Sequence, residues 1–375
     1  MPLIATPLGL GALRLYYRWL ERREWTESRR VGFQGESREQ WYADLWREAA
    51  AELSAGFTAL PSGFGEVRLG DRLTRVYQQM VMLDDPVTLK LAGHKPIVHH
   101  LLAAAGLPVP AYREFRWNAL APAAAFLSEQ QAPCVVKPAA GTGAGRGVTT
   151  HVRCTRDLAL AAARAAAHGR RLVIERQVPG ESYRLLYLDG VLLDAVRRRP
   201  PGVLGDGTST VRALIARENG RRSGRAGRAV VDVIPVDLDC RLTLEAAGHS
   251  LRSVPAAGCR VVVRGVSNHG SEEDTEGVRE ELGSALIDQG ARAAAALGVR
   301  LAGVDVITPD VAAPLEAAGG VVNEVNTTPG LHFHYQVRNP AARTRVAVAI
   351  LRTLLELPAP AAPRDLPGRR TLAAR

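Results

Sequence analysis

Only three of the 48 Lys and Arg residues in this chain are lysines: Lys90, Lys95 and Lys137. A guanidinium is a wide planar fork, whereas an ammonium is a compact, strongly hydrated point charge. Lysines kept in so arginine-rich a chain are therefore candidates for places where a compact cation is needed. Lys137 is followed closely by Gly141-Thr142-Gly143-Ala144-Gly145-Arg146-Gly147. An ammonium beside glycine-rich backbone can hold nucleotide phosphates, with Gly143, Gly145 and Gly147 letting the main chain come close. A second pattern is Asp305, then Glu324-x-Asn326-x-x-Pro329-Gly330. Alternate residues of a strand share a face, so Glu324 and Asn326 project together, and a hairpin would set Asp305 opposite them. Two carboxylates and an amide oxygen form a hard, all-oxygen donor set that suits Mg²⁺ completed by water and phosphate. No His or Cys lies within it, which disfavours zinc. Taken alone, the same residues also read as two acids on exposed strand positions followed by a plain turn.

These side chains need elements to position them. Residues 133–138 read as a strand running into the glycine loop, 157–168 as an alanine-rich helix, and 172–175 as a strand. Strands at 183–188 and 191–197 are joined by a tight Asp189-Gly190 turn. A turn at Gly205-Asp206-Gly207 precedes a helix that Ser209 is placed to cap. Residues 261–263 read as a buried strand and 284–297 as a helix. The acid-bearing segments, 304–307 and 321–326, read as two strands. Upstream, Lys95 begins a helix over 95–105 that Gly106 ends, and 39–55 reads as a helix followed by strands at 57–60, 66–69 and 73–77. Leu10, Leu13, Tyr17 and Leu20 recur at helical period, and four of the five tryptophans fall in the first 46 residues. Two readings stand for this start: it packs onto the body of the protein, or it forms a dimer or partner surface.

Composition narrows the partners. A net charge of +10 favours anions. The charge is spread rather than blocked, which argues against nucleic acid. The densest basic cluster, Arg221, Arg222, Arg225 and Arg228, reads either as a solvated mobile loop or as a flap over phosphates. Cys134, Cys154, Cys240 and Cys259 are too widely spaced for a zinc site or a disulfide framework, a pattern that suits a reducing cytoplasm. No uncharged apolar run reaches about 18 residues, and no basic segment precedes the apolar start, so neither a membrane span nor a signal peptide is expected.

The lysine, glycine-loop and acid motifs, taken in order, resemble the ATP-grasp ligases, and within them the ATP-grasp module of cyanophycin synthetase. The similar stretches are 91–110, 135–148, 173–195, 197–214 and 301–331. The resemblance implies an α/β (α+β) ATP-grasp fold with its nucleotide site between two lobes. The expected organisation is an amphipathic, aromatic extension (1–35), a small α/β lobe (36–90), an ATP-grasp domain (91–345) and a C-terminal helix with a loose tail (346–375). Within the ATP-grasp domain, the glycine-loop lobe spans about 130–200 and the metal lobe about 201–345.

By the same resemblance, Lys95 and Lys137 contact ATP phosphates. Glu175, Arg176 and Val178 form the hinge that reads adenine, largely through backbone groups. Asp305, Glu324 and Asn326 hold Mg²⁺, with two ions expected and Mn²⁺ an alternative. Arg264 stabilises the transferring phosphoryl group, Asn268 helps to hold the reacting end, and Arg184 lies near nucleotide or acyl substrate. Departures from the family pattern are also visible. The ribose-binding acid would fall at Ser182, so Glu181 takes that role; His94 replaces an Asp before the first lysine; and the glycine loop is one residue longer. An acidic run, Ser271-Glu272-Glu273-Asp274-Thr275-Glu276, replaces a Ser/Gly-rich loop near the substrate. It reads either as a site for a cationic amine or as a solvated surface loop. His332 and His334 are candidate bases or structural groups.

The activity implied is ATP-dependent amide formation between a carboxylate and an amine, amino acids or a peptide, through an acylphosphate. A carboxylate kinase, an acid–thiol ligase or a non-catalytic nucleotide-binding subunit is the alternative. Cyanophycin synthetase also carries a Mur-ligase-like half; the chain ends about forty residues after the metal motif and is expected to lack it, and so to form one type of bond.

Overall fold

The computed structural model describes residues 7–30, 36–143, 145–223, 230, 232–267 and 271–357, with backbone only at 7–8, 21–30 and 36–37. Two helices, α1 (Pro7–Arg30) and α2 (Glu36–Glu52), lead into a four-stranded antiparallel meander: β1 (Gly56–Ala59), β2 (Phe64–Leu69), β3 (Arg72–Tyr77) and β4 (Met80–Val81). Alternation along β2 and β3 buries Val67 and Val76 against Tyr42, Trp46 and Ala50 of α2. Helix α1 packs on the body through Leu10, which is buried with Ala159 and Ala163. Arg14 Nε donates to the Ala166 carbonyl at 2.8 Å. The first of the two readings for the N-terminus therefore holds for this face, while Leu15, Tyr16 and Trp19 remain exposed.

Helix α3 (Pro86–Ala92) starts on an Asp85 cap, and α4 (Lys95–Ala104) follows at once. A second antiparallel sheet has the order β5 (Tyr112–Arg116), β8 (Arg171–Arg176), β6 (Cys134–Pro138), β7 (Thr149–Val152). It is backed by α5 (Ala121–Gln130) and α6 (Thr155–Ala165), whose small buried alanines allow close helix–sheet approach. The third sheet contains β9 (Glu181–Leu188) and β10 (Val191–Arg198), and their hairpin turns on Asp189 (φ 50°) and Gly190 (φ 78°), the left-handed pair a two-residue turn requires.

Beyond this hairpin, β11 (Gly202–Leu204) pairs with β12 (Arg260–Val262), and between them lie α7 (Val211–Ser223) and α8 (Leu238–Ala246). Then come β13 (Thr275–Gly277), α9 (Ser284–Ala296), β14 (Leu301–Thr308), α10 (Leu315–Ala318), β15 (Val321–Asn326) and α11 (Val346–Leu354). The third sheet is ordered β13-β10-β9-β14-β15. Residues 177–180 carry the chain from the second sheet to the third. Gly180 (φ 127°) is required there, because an added Cβ would lie 2.6 Å from the Thr308 backbone.

Two local expectations change. Thr210, not Ser209, caps α7: its Oγ1 accepts from the Ala213 N–H at 3.3 Å, while Ser209 donates to Asp206. Arg221 and Arg222 are not in a loop; they close α7, and Arg222 is buried between Glu218, the Asp232 carbonyl and Asp274. Arg225 and Arg228 lie outside the described residues.

Candidate functional site

The predicted residues converge on a cleft of about 2040 Å³. Lys95, Lys137, Gly143, Gly145, Gly147, Glu175, Arg176, Val178, Glu181, Arg184, Arg264, Asp305, Glu324 and Asn326 all line it. Asn268 lies outside the described residues. Lys90 does not belong to the cleft: it stands exposed in the last turn of α3.

Strand β6 delivers Lys137 with its side chain buried. Its Nζ lies 2.6 Å from Oε2 of Glu175, the pairing that neighbouring strands β6 and β8 make possible. The other oxygen of Glu175 lies 3.8 Å from His99 Nε2. Glu175 is itself buried on a strand paired on both sides, and its side chain is the charge partner of Lys137 rather than a group turned toward a hinge ligand. Burial, more than the neighbouring charges, pushes His99 below the ordinary imidazole range. Lys95 reaches the same cleft from the start of α4, where its own N–H is tied to the Ala139 carbonyl at 2.9 Å, just past Lys137. Its Nζ lies 3.6 Å from Oε1 of Glu324, connecting the ammonium side of the cleft to the acidic side.

The acid motif forms the expected hairpin. Strands β14 and β15 are antiparallel, with Asp305 opposite Glu324, Gly303 opposite Asn326 and a bulge after Asp305. Asn326 Nδ2 donates to the Gly303 carbonyl (3.2 Å) and to Asp305 Oδ2 (3.3 Å), which leaves its amide oxygen as the atom suited to a cation. Asp305 is held by two arginines. Arg184 grips it through Nε and Nη2, the latter at 2.8 Å, and Arg198 Nη2 lies 3.0 Å from Oδ1. Burial pushes the Asp305 carboxyl up, and Arg184 and Arg198 more than reverse it, so the group stays below the ordinary carboxylate range. Among the described residues no three His, Cys, Asp or Glu cluster as metal ligands. Two carboxylates plus an amide oxygen fit a divalent cation whose remaining ligands come from phosphate and water.

Arg264 follows β12 and is buried on the cleft wall against Asp237 (Nη1 to Oδ2, 3.1 Å) and Asp239 (Nε to Oδ2, 3.4 Å). Asp239 also accepts from the Thr150 N–H at 2.8 Å and so joins this wall to β7. Glu181 sits exposed at the rim, accepting from Tyr183 Oη (3.1 Å) and paired with Arg197 at 3.2 Å. Ser182 Oγ accepts from Arg198 Nη2 at 3.2 Å. Of the two candidate bases, only His332 lines the cleft. Its Nδ1 meets Tyr42 Oη at 3.1 Å, and burial, reinforced by Arg38, Arg184 and Arg198, holds it well below the ordinary imidazole range. His334 is fully buried on Asp194 at 2.7 Å, in a structural position.

The acidic run is not an open anionic pocket. Glu273 pairs with Arg221 at 2.8 Å, Asp274 with Arg260 at 2.8 Å, and Glu276 with Arg197 at 3.1 Å, while Glu272 lies 3.4 Å from Arg343. Recognition of a cationic amine by these acids therefore lacks the unpaired carboxylates it would need.

Sequence reasoning missed Arg198, the Asp237/Asp239 pair and Arg38. For Arg198 a signal existed, since period-two alternation along β10 sets it on the same face as the buried Val196 and Asp194. The others depend on long-range packing.

No protein-family model matches the chain. It is 29% identical over 314 residues to cyanophycin synthetase of Trichormus variabilis, a match covering 78% of this chain and 34% of that protein. It is 30% identical over 262 residues to the glutathione biosynthesis bifunctional protein GshAB of Streptococcus mutans, covering 68% of this chain and 34% of that one. The chain spans about a third of the length of these curated relatives. In structure it is similar to a bifunctional glutathione synthetase from Pasteurella multocida, with a TM-score of 0.53 and 23% identity over 83% of this chain and 43% of the other, a likeness of fold alone.

Proposed function

The chain belongs to the ATP-grasp superfamily, and from that premise we propose that it is an ATP-dependent ligase joining a carboxylate to an amine. The observation that carries this reading is the meeting of Lys95, Lys137 and the Asp305–Glu324–Asn326 face in a single cleft.

The chemistry follows from charge. A free carboxylate is a poor electrophile. Transfer of the γ-phosphoryl group of ATP to it gives an acylphosphate, which an amine attacks at the acyl carbon as phosphate leaves. Phosphoryl transfer is mainly positioning and charge neutralisation. Lys95 and Lys137 hold the phosphates from the α4 and β6 side, and the glycine loop supplies backbone N–H groups beside them. Glu175 orients Lys137 through their 2.6 Å contact. Arg264, fixed by Asp237 and Asp239, faces the transferring group. The segment 175–178 offers its backbone to adenine, and Glu181 at the rim takes the ribose. Asp305, Glu324 and the Asn326 oxygen would hold Mg²⁺, which when bound neutralises phosphate charge. The localisation proposed is cytoplasmic; among the described residues no helix is long and apolar enough to cross a membrane.

The test is incubation with ATP, Mg²⁺, a carboxylate library and hydroxylamine. Hydroxamate with stoichiometric ADP and phosphate is expected. Acylphosphate that is trapped as hydroxamate but gives no amide with any amine would favour a carboxylate kinase, thioester with added thiols an acid–thiol ligase. Absence of ADP release with every acid would sink the catalytic reading.

A further inference from the structure

The wall of the cleft contributed by the N-terminal region contains an arginine that the mechanism above does not use. Arg38, in the first turns of α2, lines the cleft half-buried. Its Nε donates to Gln78 Oε1 at 3.1 Å and its Nη2 to Gln79 Oε1 at 3.2 Å. Its guanidinium stands over the Tyr42 ring at 5.4 Å. Among the described residues no carboxylate pairs with it. Arg184 and Arg198 share Asp305 between them; Arg38 has only neutral amides and an aromatic face. A half-buried cation with no counter-charge favours an anionic ligand.

The two amides are held at some cost. Gln78 and Gln79 form the turn joining β3 to β4, where Tyr77 pairs with Met80, and Gln78 has φ 50°, a left-handed conformation uncommon for a side-chain-bearing residue. The turn is pinned by Trp46 Nε1, which donates to the Gln78 carbonyl at 2.8 Å. Both amide oxygens are thereby spent on aiming Arg38. The site adjoins the chemistry: Tyr42 Oη meets His332 Nδ1 at 3.1 Å, and the neighbouring Phe333 ring lies beneath the guanidiniums of Arg184 and Arg198 at 5.9 and 5.6 Å.

We propose that Arg38, aimed by Gln78 and Gln79, is a carboxylate-binding subsite that grips the non-reacting end of a substrate. The assignment rests on the ligase reading and deepens it: one substrate carries a second anionic group besides the atoms that react. That group belongs either to an acyl donor with two carboxylates or to an amine acceptor with a free carboxylate.

The test uses the full chain with two paired series. For the donor arm these are the dicarboxylates from malonate to adipate against their monoamides; for the acceptor arm, glycine against glycinamide. Binding is measured calorimetrically, and hydroxamate or amide formation is measured beside it. In one arm the anionic member is expected to bind about 10- to 100-fold tighter than its amide. Arg38→Gln should erase that preference, Arg38→Lys should retain part of it, and the KM for ATP should stay within about twofold. The responding arm identifies the substrate that carries the group. If Arg38→Gln loses thermal stability, Arg38→Lys and Gln79→Ala carry the same comparison. A preference that survives Arg38→Gln, or no preference in either arm, overturns the subsite. Arg38-dependent succinate binding with no ADP release from any acid would refute the ligase reading while keeping the subsite. Normal turnover with a preference indifferent to Arg38 would do the reverse.

Discussion

Along residues 272–276 each acid meets an arginine across a short surface distance, whereas in the cleft two arginines share the single carboxylate of Asp305 and Arg38 has none among the described residues. The densest run of charge in the chain is thus saturated by neighbours that arrive from α7, β10, β12 and the 338–343 segment. The sparser charges of the cleft keep an electropositive surplus, a surface prepared for an anion such as a triphosphate. Charge density in a sequence is a poor guide to chemistry; what matters is whether folding supplies the counter-charge.

Removing cleft charges should have the largest effects. Glu324→Ala and Lys137→Met are each expected to lower hydroxamate formation by about two to three orders of magnitude or more, with circular dichroism unchanged. Glu324 is only half-buried, so its loss should spare the fold. Lys137→Met additionally leaves Glu175 buried without its partner and should cost about 3–5 kcal/mol in urea unfolding. Wild-type rates in Glu324→Ala would break the contrast drawn here.

An intermediate effect is expected from pH. Burial first, then the nearby arginines, depress His332 below its unfolded value, and burial likewise depresses His99. Below about pH 6.5 the unfolded chain therefore takes up more proton at these two positions than the folded protein does, most of all at His332. Stability is therefore full above that pH and lost as pH falls toward the depressed folded values, by at most about 1.4 kcal/mol per pH unit for each group. Urea midpoints between pH 7 and pH 5 read this directly, and His332→Gln should reduce the slope by about one proton. An unchanged slope would mean that His332 protonates in the folded state.

The smallest effects belong to the surface run. Glu272→Gln and Glu273→Gln, at exposed pairs, should each change stability by less than about 1 kcal/mol and activity by less than about twofold. A shift in amine preference on neutralising both would restore the cationic-acceptor reading of this segment.

Much of the site was legible before folding was considered. Lysine scarcity singled out Lys95 and Lys137, although Lys90 shared the signal and lies elsewhere. Period-two alternation aligned Glu324 with Asn326, and the Asp189-Gly190 turn carried its own backbone signature. These are local facts, encoded within a few residues by side-chain chemistry and strand geometry. Tertiary structure alone decided that Glu175 would face Lys137, that Arg184 and Arg198 would close on Asp305, that the acids of 272–276 would be matched, and that Arg38 would reach the cleft from a helix packed on a separate sheet. Those pairings join residues tens to hundreds of positions apart. No periodicity records them, because they exist only once the sheets have packed and each buried charge has had to find a partner.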